Sequence, residues 1–476
     1  MALIKSISGI RGTVGGKVGE NLTPVDVVKF TSAFVTLSEE WRKEKGEGNI
    51  ETPCSFVVGR DARVSGEIIN KLVCATLQSK GVNVIDVGLS TTPTVEMAVV
   101  KHRADGGIIL TASHNPMEWN ALKLLNEKGE FISAEDGKRL LKIVEKENIN
   151  FAPIENLGSY IQYEHAIEDH IDEILKLDLI DIKAIQKAEF SIIFDAVNST
   201  GGIAIPLLFE KLGVRNYHAL YNEPTGIFPH NPEPLPEHLQ EISAIMQKGE
   251  WKKEKGENTY GFFDVGFVVD PDVDRLAIVM ENGDMFGEEY TLVAIADYVL
   301  QHKKGNTVSN LSSTKALKDV SEKYGVIYTP ASVGEVNVVE KMKETHAIIG
   351  GEGNGGVIFP ELHYGRDALV GIALFLSFMA KSKLKCSEIK ERYPKYVILK
   401  NKIELTKDIN TPELLHKFAQ KYASYNPNTM DGVKIDFEEG WVHLRPSNTE
   451  PIIRIYAESR NEEEAKKILN LILQDF

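Results

Sequence analysis

Short apolar runs that stop abruptly at small polar residues recur along this 476-residue chain. Ser55-Phe56-Val57-Val58 ends in the loop 59–66, residues 67–80 then follow a helical period, and 82–87 read as a strand. Ile108-Ile109-Leu110 runs into Thr111-Ala112-Ser113-His114-Asn115-Pro116. The strand-like 190–194 runs into Asp195 to Gly202, which should open a helix at Ile203. Phe267-Val268-Val269 runs into Asp270-Pro271-Asp272-Val273-Asp274-Arg275. Such strand–loop–helix alternation predicts α/β domains with chemistry at the strand ends. From about 385 the order is mixed: 396–405 and 432–437 read as strands and 441–458 as a hairpin. A small α+β domain is expected there. Residues 40–51 read as a charged surface excursion, 247–260 as a polar boundary loop, and 228–236 as too proline-rich for a helix or central strand.

Composition narrows the class. With 42% hydrophobic and 26% charged residues, the chain has ample core for a soluble globular protein of three to four domains. A formal charge of −15 argues against a nucleic-acid surface. Cys54, Cys74 and Cys386 are odd in number and show no metal-ligand spacing, which fits a reducing compartment. No signal peptide is visible, and the apolar run 368–380 is too short for a membrane span and reads as a buried helix. A cytoplasmic protein without membrane or nucleic-acid partners is the expectation.

Four segments carry candidate chemistry. Asp270, Asp272 and Asp274 stand at i, i+2 and i+4, a spacing that lets carboxylates converge on a hard cation. An EF-hand is excluded, because its sixth position requires glycine and holds Arg275, and 276–280 is an apolar strand. A solvated acidic turn would leave the three carboxylates repelling one another unless a cation lay among them. Mg²⁺ suits phosphoryl chemistry better than Ca²⁺. Glu352 and Asn354, in the glycine-rich 350–356, suit vicinal sugar hydroxyls, and read alone they equally suit a flexible turn. Arg445, Ser447, Asn448 and Thr449 would cradle a phosphate, or form an ordinary hairpin loop. Ser113 is a candidate nucleophile, Lys123 a candidate proton-transfer group, and Arg11 and Arg60 further candidates to face phosphate.

Taken together, these segments resemble the α-D-phosphohexomutase superfamily over nearly the whole chain, in that family's order of motifs. Thr111-Ala112-Ser113-His114-Asn115-Pro116 is similar to its phosphoserine loop, and Asp270 to Arg275 to its metal loop. Gly351-Glu352-Gly353-Asn354-Gly355 resembles its sugar loop, and Arg445-Pro446-Ser447-Asn448-Thr449 its phosphate loop. The resemblance implies four domains around a central cleft: three α/β domains with mixed sheets and a C-terminal TATA-binding-protein-like α+β domain. The expected boundaries are 1–154 with the phosphoserine loop, 155–258, 259–382 with the metal and sugar loops, and 383–476 with the phosphate loop.

The implied reaction interconverts a hexose 6-phosphate and 1-phosphate through phosphorylated Ser113 and a hexose 1,6-bisphosphate, which is also the activator. Ser113, Asp270, Asp272 and Asp274 would hold Mg²⁺, and Lys123 and Arg11 would assist catalysis. Arg275, Glu352, Asn354, Arg445, Ser447, Asn448 and Thr449 would bind substrate, a phosphorylated hexose or hexosamine. A monomer or homodimer is expected. The chain departs from the family pattern at Gly356, where a histidine is usual and for which His363 lies nearby, at Asn354 in a serine-like position, and at Ala121. Residues 449–454 look more like phosphoglucosamine mutases than phosphoglucomutase/phosphomannomutases. Glucosamine phosphate is therefore the expected substrate, with glucose or mannose phosphate as the alternative. Two rivals keep the motifs: a phosphosugar-binding protein without turnover, and a phosphatase in which water takes the phosphoryl from Ser113.

Overall fold

The protein is described by a computed structural model covering residues 3–6, 9–46, 53–146, 149–252, 258–405, 410–447 and 452–476. The chain divides into two compact units, Met1–Glu288 with Gly356–Ser387, and Glu289–Gly355 with Glu388–Phe476.

In the first unit a mixed seven-stranded sheet runs in the order Ile4–Ser6, Gly9–Thr13, Trp119–Leu125, Gly106–Leu110, Ser55–Arg60, Asn83–Leu89, Tyr160–Gln162. Arg11 lies opposite Ala121, and Ile109 opposite Lys123. Side chains alternate along a strand, so Arg11, Ala121 and Lys123 share one face. Leu122 and Leu124 point the other way, into a core with Phe30, Phe34 and Val73. Helices Pro24–Glu44, Gly66–Ser79 and Ala134–Glu145 cover that face with these apolar residues. Helix Thr92–Lys101 contributes Val95 and Val99 to the opposite core beside Ile109 and Leu125. Thr91 caps that helix by accepting from the Thr94 amide.

A second sheet has the order Leu276–Met280, Val265–Val269, Ser191–Asp195, Asn216–Leu220. It corrects the expected boundary between 258 and 259. The strands on either side of the aspartate loop join the sheet that Ser191–Asp195 began, through long-range pairing that no local pattern reveals. The boundary at 154/155 is also displaced, because Tyr160–Gln162 pairs with Asn83–Leu89 as an edge strand of the first sheet. Two loops expected from polarity contain regular structure. Helix Pro24–Glu44 extends into 40–51, and Glu250–Lys252 pairs with Asn258–Tyr260.

Helix Ala368–Ser382 is buried from Ala368 to Met379 and capped by Asp367, which accepts from the amides of Leu369 and Val370. Each such Leu or Phe contributes about 2 kcal/mol on leaving water, which explains why so apolar a helix lies inside. Among the described residues no helix is long and apolar enough to cross a membrane.

The second unit contains parallel strands in the order Tyr328–Ala331, Thr307–Asn310, Ile349–Glu352. It also holds an antiparallel sheet in the order Val397–Glu404, Ile452–Ser459, Gly440–Pro446, Val433–Asp436. Phe418 of helix Thr411–Lys421 and Ile468, Leu469 and Ile472 of helix Glu462–Leu473 pack on its apolar side chains. This is the α+β arrangement expected near the C-terminus.

Candidate active site

Strand Gly106–Leu110 is wholly buried and delivers Ser113 just past its end. Ser113 is 7% exposed and adopts φ +48°, a left-handed conformation uncommon for a residue with a side chain. Its amide donates to Thr111 Oγ1 at 2.9 Å, and Thr111 donates to Asp61 at 2.6 Å. The main support comes from Arg63, which is 1% exposed. Its Nε donates to Asp61 at 3.0 Å, Nη1 to the carbonyls of Pro116 and Trp119 at 2.7 and 3.0 Å, and Nη2 to those of Ser113 and Asn115. All five donors of the guanidinium are thereby used, and Arg63 holds the Ser113 turn through its backbone carbonyls.

The aspartate loop meets this turn. Ser113 Oγ donates to Asp270 Oδ2 at 2.7 Å. Asp270 Oδ1 accepts from the amides of Asp274 and Arg275 at 3.2 and 3.1 Å. Asp272 Oδ2 accepts from Lys123 at 2.8 Å and Thr92 at 2.6 Å, and Asp274 Oδ2 accepts from Arg366 at 2.6 Å. Ser199 and Thr200 donate to the Pro271 carbonyl at 2.6 and 2.9 Å, and Val273 takes φ +60°, which is rare for a β-branched residue.

Burial, followed by the neighbouring Asp274 and Asp272 charges, pushes the Asp270 carboxyl well above its ordinary range. Burial opposes ionisation of Asp272 too, but the Lys123 ammonium outweighs it and holds that carboxyl below its usual range. Lys123 in turn loses to burial and gains more from Asp272 and Asp274, so its pKa is raised and it is an ammonium at neutral pH.

One ligand atom from each of Asp270, Asp272 and Asp274 lies within 4.8 Å of the others. Asp272 Oδ1 and Asp274 Oδ1 are buried without a hydrogen-bond partner. Three buried carboxylates with orphaned oxygens and a serine hydroxyl at their edge form an all-oxygen donor set, which fits a hard divalent cation.

Positive charge gathers around His114, the neighbour of Ser113. The Arg275 guanidinium, then burial, then Arg366, hold His114 well below the ordinary histidine range, with Arg11 adding to the effect. His114 Nδ1 is 3.3 Å from Ser113 Oγ. Burial and then Arg275 lower the pKa of Arg11, which places these two guanidiniums in one electrostatic neighbourhood. Ser113, Lys123, Arg11, Arg275 and the three aspartates are therefore together in the first unit. Arg63, Thr92, His114 and Arg366 are additions that the sequence reading passed over. Arg63 and His114 both stand within segments it quoted, yet a carbonyl-binding role leaves no mark in residue type.

The second unit assembles the remaining candidates. Glu352 is 4% exposed, and its Oε1 accepts from Asn310 at 2.9 Å and from the Gly334 amide at 3.1 Å. Asn354 is half-buried in the turn that follows. Arg445 Nε donates to Asp431 Oδ2 at 2.8 Å, and the same oxygen accepts from the Val333 amide at 2.9 Å. Asp431 thus links Arg445 to the residue beside Gly334, one step from Glu352. The Ser447 amide donates to the Ile452 carbonyl at 2.9 Å. Asn448 and Thr449 lie outside the described residues.

Four profiles of phosphoglucomutase/phosphomannomutase domains match in series: alpha/beta/alpha domain I at 3–150, domain II at 168–283, domain III at 287–396 and the C-terminal domain at 399–474. A phosphoglucomutase/phosphomannomutase of Thermococcus kodakarensis is 35% identical over 97% of this chain and 96% of its own length. The chain belongs to the phosphoglucomutase/phosphomannomutase family of α-D-phosphohexomutases. In this phosphohexomutase the Ser113 loop falls within domain I, the aspartate loop within domain II, Glu352 within domain III and Arg445 within the C-terminal domain.

A probable phosphoglucosamine mutase of Pyrococcus abyssi is 31% identical over 97% of this chain and 95% of its own. A phosphoglucosamine/phosphogalactosamine mutase of Sulfurisphaera tokodaii is 29% identical over 99% and 98%. Among solved structures, a phosphoglucomutase/phosphomannomutase family protein of Burkholderia thailandensis shares the fold at a TM-score of 0.80, with 24% identity over 99% of this chain and 97% of its own. An N-acetylphosphoglucosamine mutase of Aspergillus fumigatus, solved with GlcNAc-6P and magnesium, has a TM-score of 0.58 at 14% identity over 95% and 97%.

Proposed function

We propose that this phosphohexomutase interconverts the 6-phosphate and 1-phosphate of a hexosamine, with Ser113 as the residue that carries the phosphoryl group. The observation that carries this reading is the Ser113 hydroxyl at 2.7 Å from Asp270, at the edge of three converging buried carboxylates. Asp270, Asp272, Asp274 and a Ser113 phosphate oxygen would hold Mg²⁺, which supplies charge neutralisation of the transferring group.

In the forward half-reaction the P–O bond to Ser113 Oγ breaks as a P–O bond to the free sugar hydroxyl forms, giving a 1,6-bisphosphate. The hydroxyl loses its proton and Ser113 Oγ regains one. Lys123, kept as an ammonium, serves as proton donor and as positive charge beside the phosphoryl group. The neutral His114 imidazole is a base within reach of Ser113 Oγ. Arg11 and Arg275 counter the charge of the phosphoryl oxygens. Arg445, Ser447, Asn448 and Thr449 grip the phosphate that does not react, and Glu352 and Asn354 read hydroxyls common to both orientations of the intermediate. The returning half-reaction reverses these steps at the other phosphate, with the bisphosphate able to prime an unphosphorylated enzyme.

Relatives named as phosphoglucosamine mutases support glucosamine phosphate as the substrate. A second reading, glucose or mannose phosphate, draws support from the Thermococcus relative. Side-by-side kcat/KM values for glucosamine, glucose and mannose phosphates, with Mg²⁺ and a 1,6-bisphosphate, decide between them. A tenfold or greater preference for glucosamine phosphate is expected. Preference for another sugar overturns the substrate, and no isomerisation of any overturns the mutase reading in favour of binding without turnover.

A further inference from the structure

A second group of metal-type ligands lies in the first unit, apart from the aspartate triad. His170 Nε2 is 2.9 Å from Asp367 Oδ2, and His363 Nε2 is 3.4 Å from that same oxygen. These ligand atoms all lie within 4.8 Å of one another. The other oxygen of Asp367 is occupied by the amides of Leu369 and Val370, so Oδ2 is the one turned to the imidazoles.

The far nitrogen of each ring also has a polar neighbour. His170 Nδ1 is 2.9 Å from Thr94 Oγ1, and His363 Nδ1 is 3.2 Å from Glu96 Oε2. A metal-binding histidine characteristically gives its second N–H to a hydroxyl or carboxylate, which fixes the tautomer and aims the bare nitrogen at the ion. Here each ring has such a neighbour at Nδ1, and both Nε2 atoms face one carboxylate oxygen. Bonds of about 2.0–2.2 Å at tetrahedral angles place ligand atoms roughly 3.3 Å apart. The observed 2.9 and 3.4 Å lie within a few tenths of an ångström of that spacing, and the two imidazole nitrogens lie within 4.8 Å of each other.

The cluster is tightly built. A Cβ at Gly365 would fall 1.8 Å from Glu96 Oε2, so a larger residue there would push the Glu96 carboxylate aside. The His363 side chain is 12% exposed, while its Nε2 is buried.

From this convergence we infer that His170, His363 and Asp367 form a second divalent-cation site of the zinc type, with Glu96 and Thr94 orienting its imidazoles. Two imidazoles and one carboxylate select a borderline cation over Mg²⁺. Loading it displaces the imidazole protons. The site would brace the aspartate triad from behind. Arg366, next to Asp367, holds Asp274, and Thr92 in the helix that carries Thr94 and Glu96 holds Asp272.

The test uses the full-length chain stripped with chelator and titrated with Zn²⁺ or Co²⁺ at millimolar Mg²⁺, read by metal analysis after dialysis and by Co²⁺ visible absorption. One Zn²⁺ per chain is expected, with an intense Co²⁺ spectrum of a nitrogen-ligated, low-coordinate ion. Uptake should survive Asp272→Asn, weaken about 10- to 100-fold in Glu96→Gln, and be lost in His363→Gln and His170→Gln. Circular dichroism verifies the fold of each variant. Should the histidine variants not fold, the spectrum of Asp272→Asn decides, because an intense band there reports a low-coordinate Co²⁺ that does not depend on the aspartate triad. No Zn²⁺ retained, uptake abolished by Asp272→Asn alone, or a faint Co²⁺ spectrum of oxygen ligation each overturns the site. The cluster is then a protonated histidine network between two carboxylates.

Discussion

Ser113 Oγ and Asp270 Oδ2 are separated by 2.7 Å in space and by 157 residues in sequence. The hydroxyl is the donor, so the carboxylate orients the side chain proposed as the nucleophile. Burial and the adjacent Asp274 and Asp272 keep that carboxyl far easier to protonate than an ordinary aspartate. A divalent cation among the three would remove that repulsion, which ties the readiness of the serine to the occupancy of the triad.

Replacing Ser113 with Ala should reduce turnover by at least about 10⁴-fold while leaving thermal unfolding unchanged. Intact-mass analysis of wild type incubated with a 1,6-bisphosphate should show one added phosphate that the variant lacks. Retained activity in the variant would remove Ser113 from the mechanism.

Asp272→Asn removes a charge paired with Lys123 at 2.8 Å and bonded to Thr92 at 2.6 Å. Mg²⁺ activation should shift to concentrations at least about tenfold higher, measured from rate against Mg²⁺. An unchanged titration would mean that the cation binds elsewhere.

Arg63→Lys keeps the charge and loses the planar fork, leaving carbonyls of the Ser113 turn without donors. Destabilisation on the order of 3 kcal/mol is expected from denaturant unfolding. A fall in kcat larger than the change in KM should accompany it. Equal stability to wild type would show that the turn holds itself.

Arg445→Lys replaces the group that Asp431 orients at 2.8 Å. KM should rise about tenfold with kcat little changed, as for loss of uniform binding. A fall in kcat alone would assign Arg445 to the chemical step instead.

His443 gives an acid-side prediction. Burial is the main cause that pushes it down to about 4, against an unfolded value near 6.5. Its Nδ1 faces Ser312 Oγ at 2.9 Å and its Nε2 the Asp431 carbonyl at 2.6 Å. The unfolded chain binds this proton first, so the stabilising contribution is complete above about 6.5 and is lost as pH falls toward 4. The loss is on the order of 3 kcal/mol. Wild type minus His443→Gln stability, measured across pH 4–7, should slope upward with pH. A flat difference would mean that His443 takes up its proton over the same pH range in the folded protein as in the unfolded chain.

What the sequence determined by itself is what neighbours along the chain can encode. Apolar runs broken by small polar residues marked the strands Gly106–Leu110, Ser191–Asp195 and Val265–Val269 and the loops after them, because burial of a strand and exposure of its end are local patterns. The i, i+2, i+4 carboxylates and the serine after a buried strand were visible for the same reason. Tertiary structure alone decided which strands share a sheet, so the aspartate loop joined Ser191–Asp195 and not the unit that follows it. It alone decided that Arg63 spends its donors on carbonyls about 50 residues away, and that His170 reaches Asp367 across 197. Backbone carbonyls are the same in every residue, and a buried histidine and a solvated one are written with the same letter. Only the packing of distant segments supplies the partner that distinguishes them.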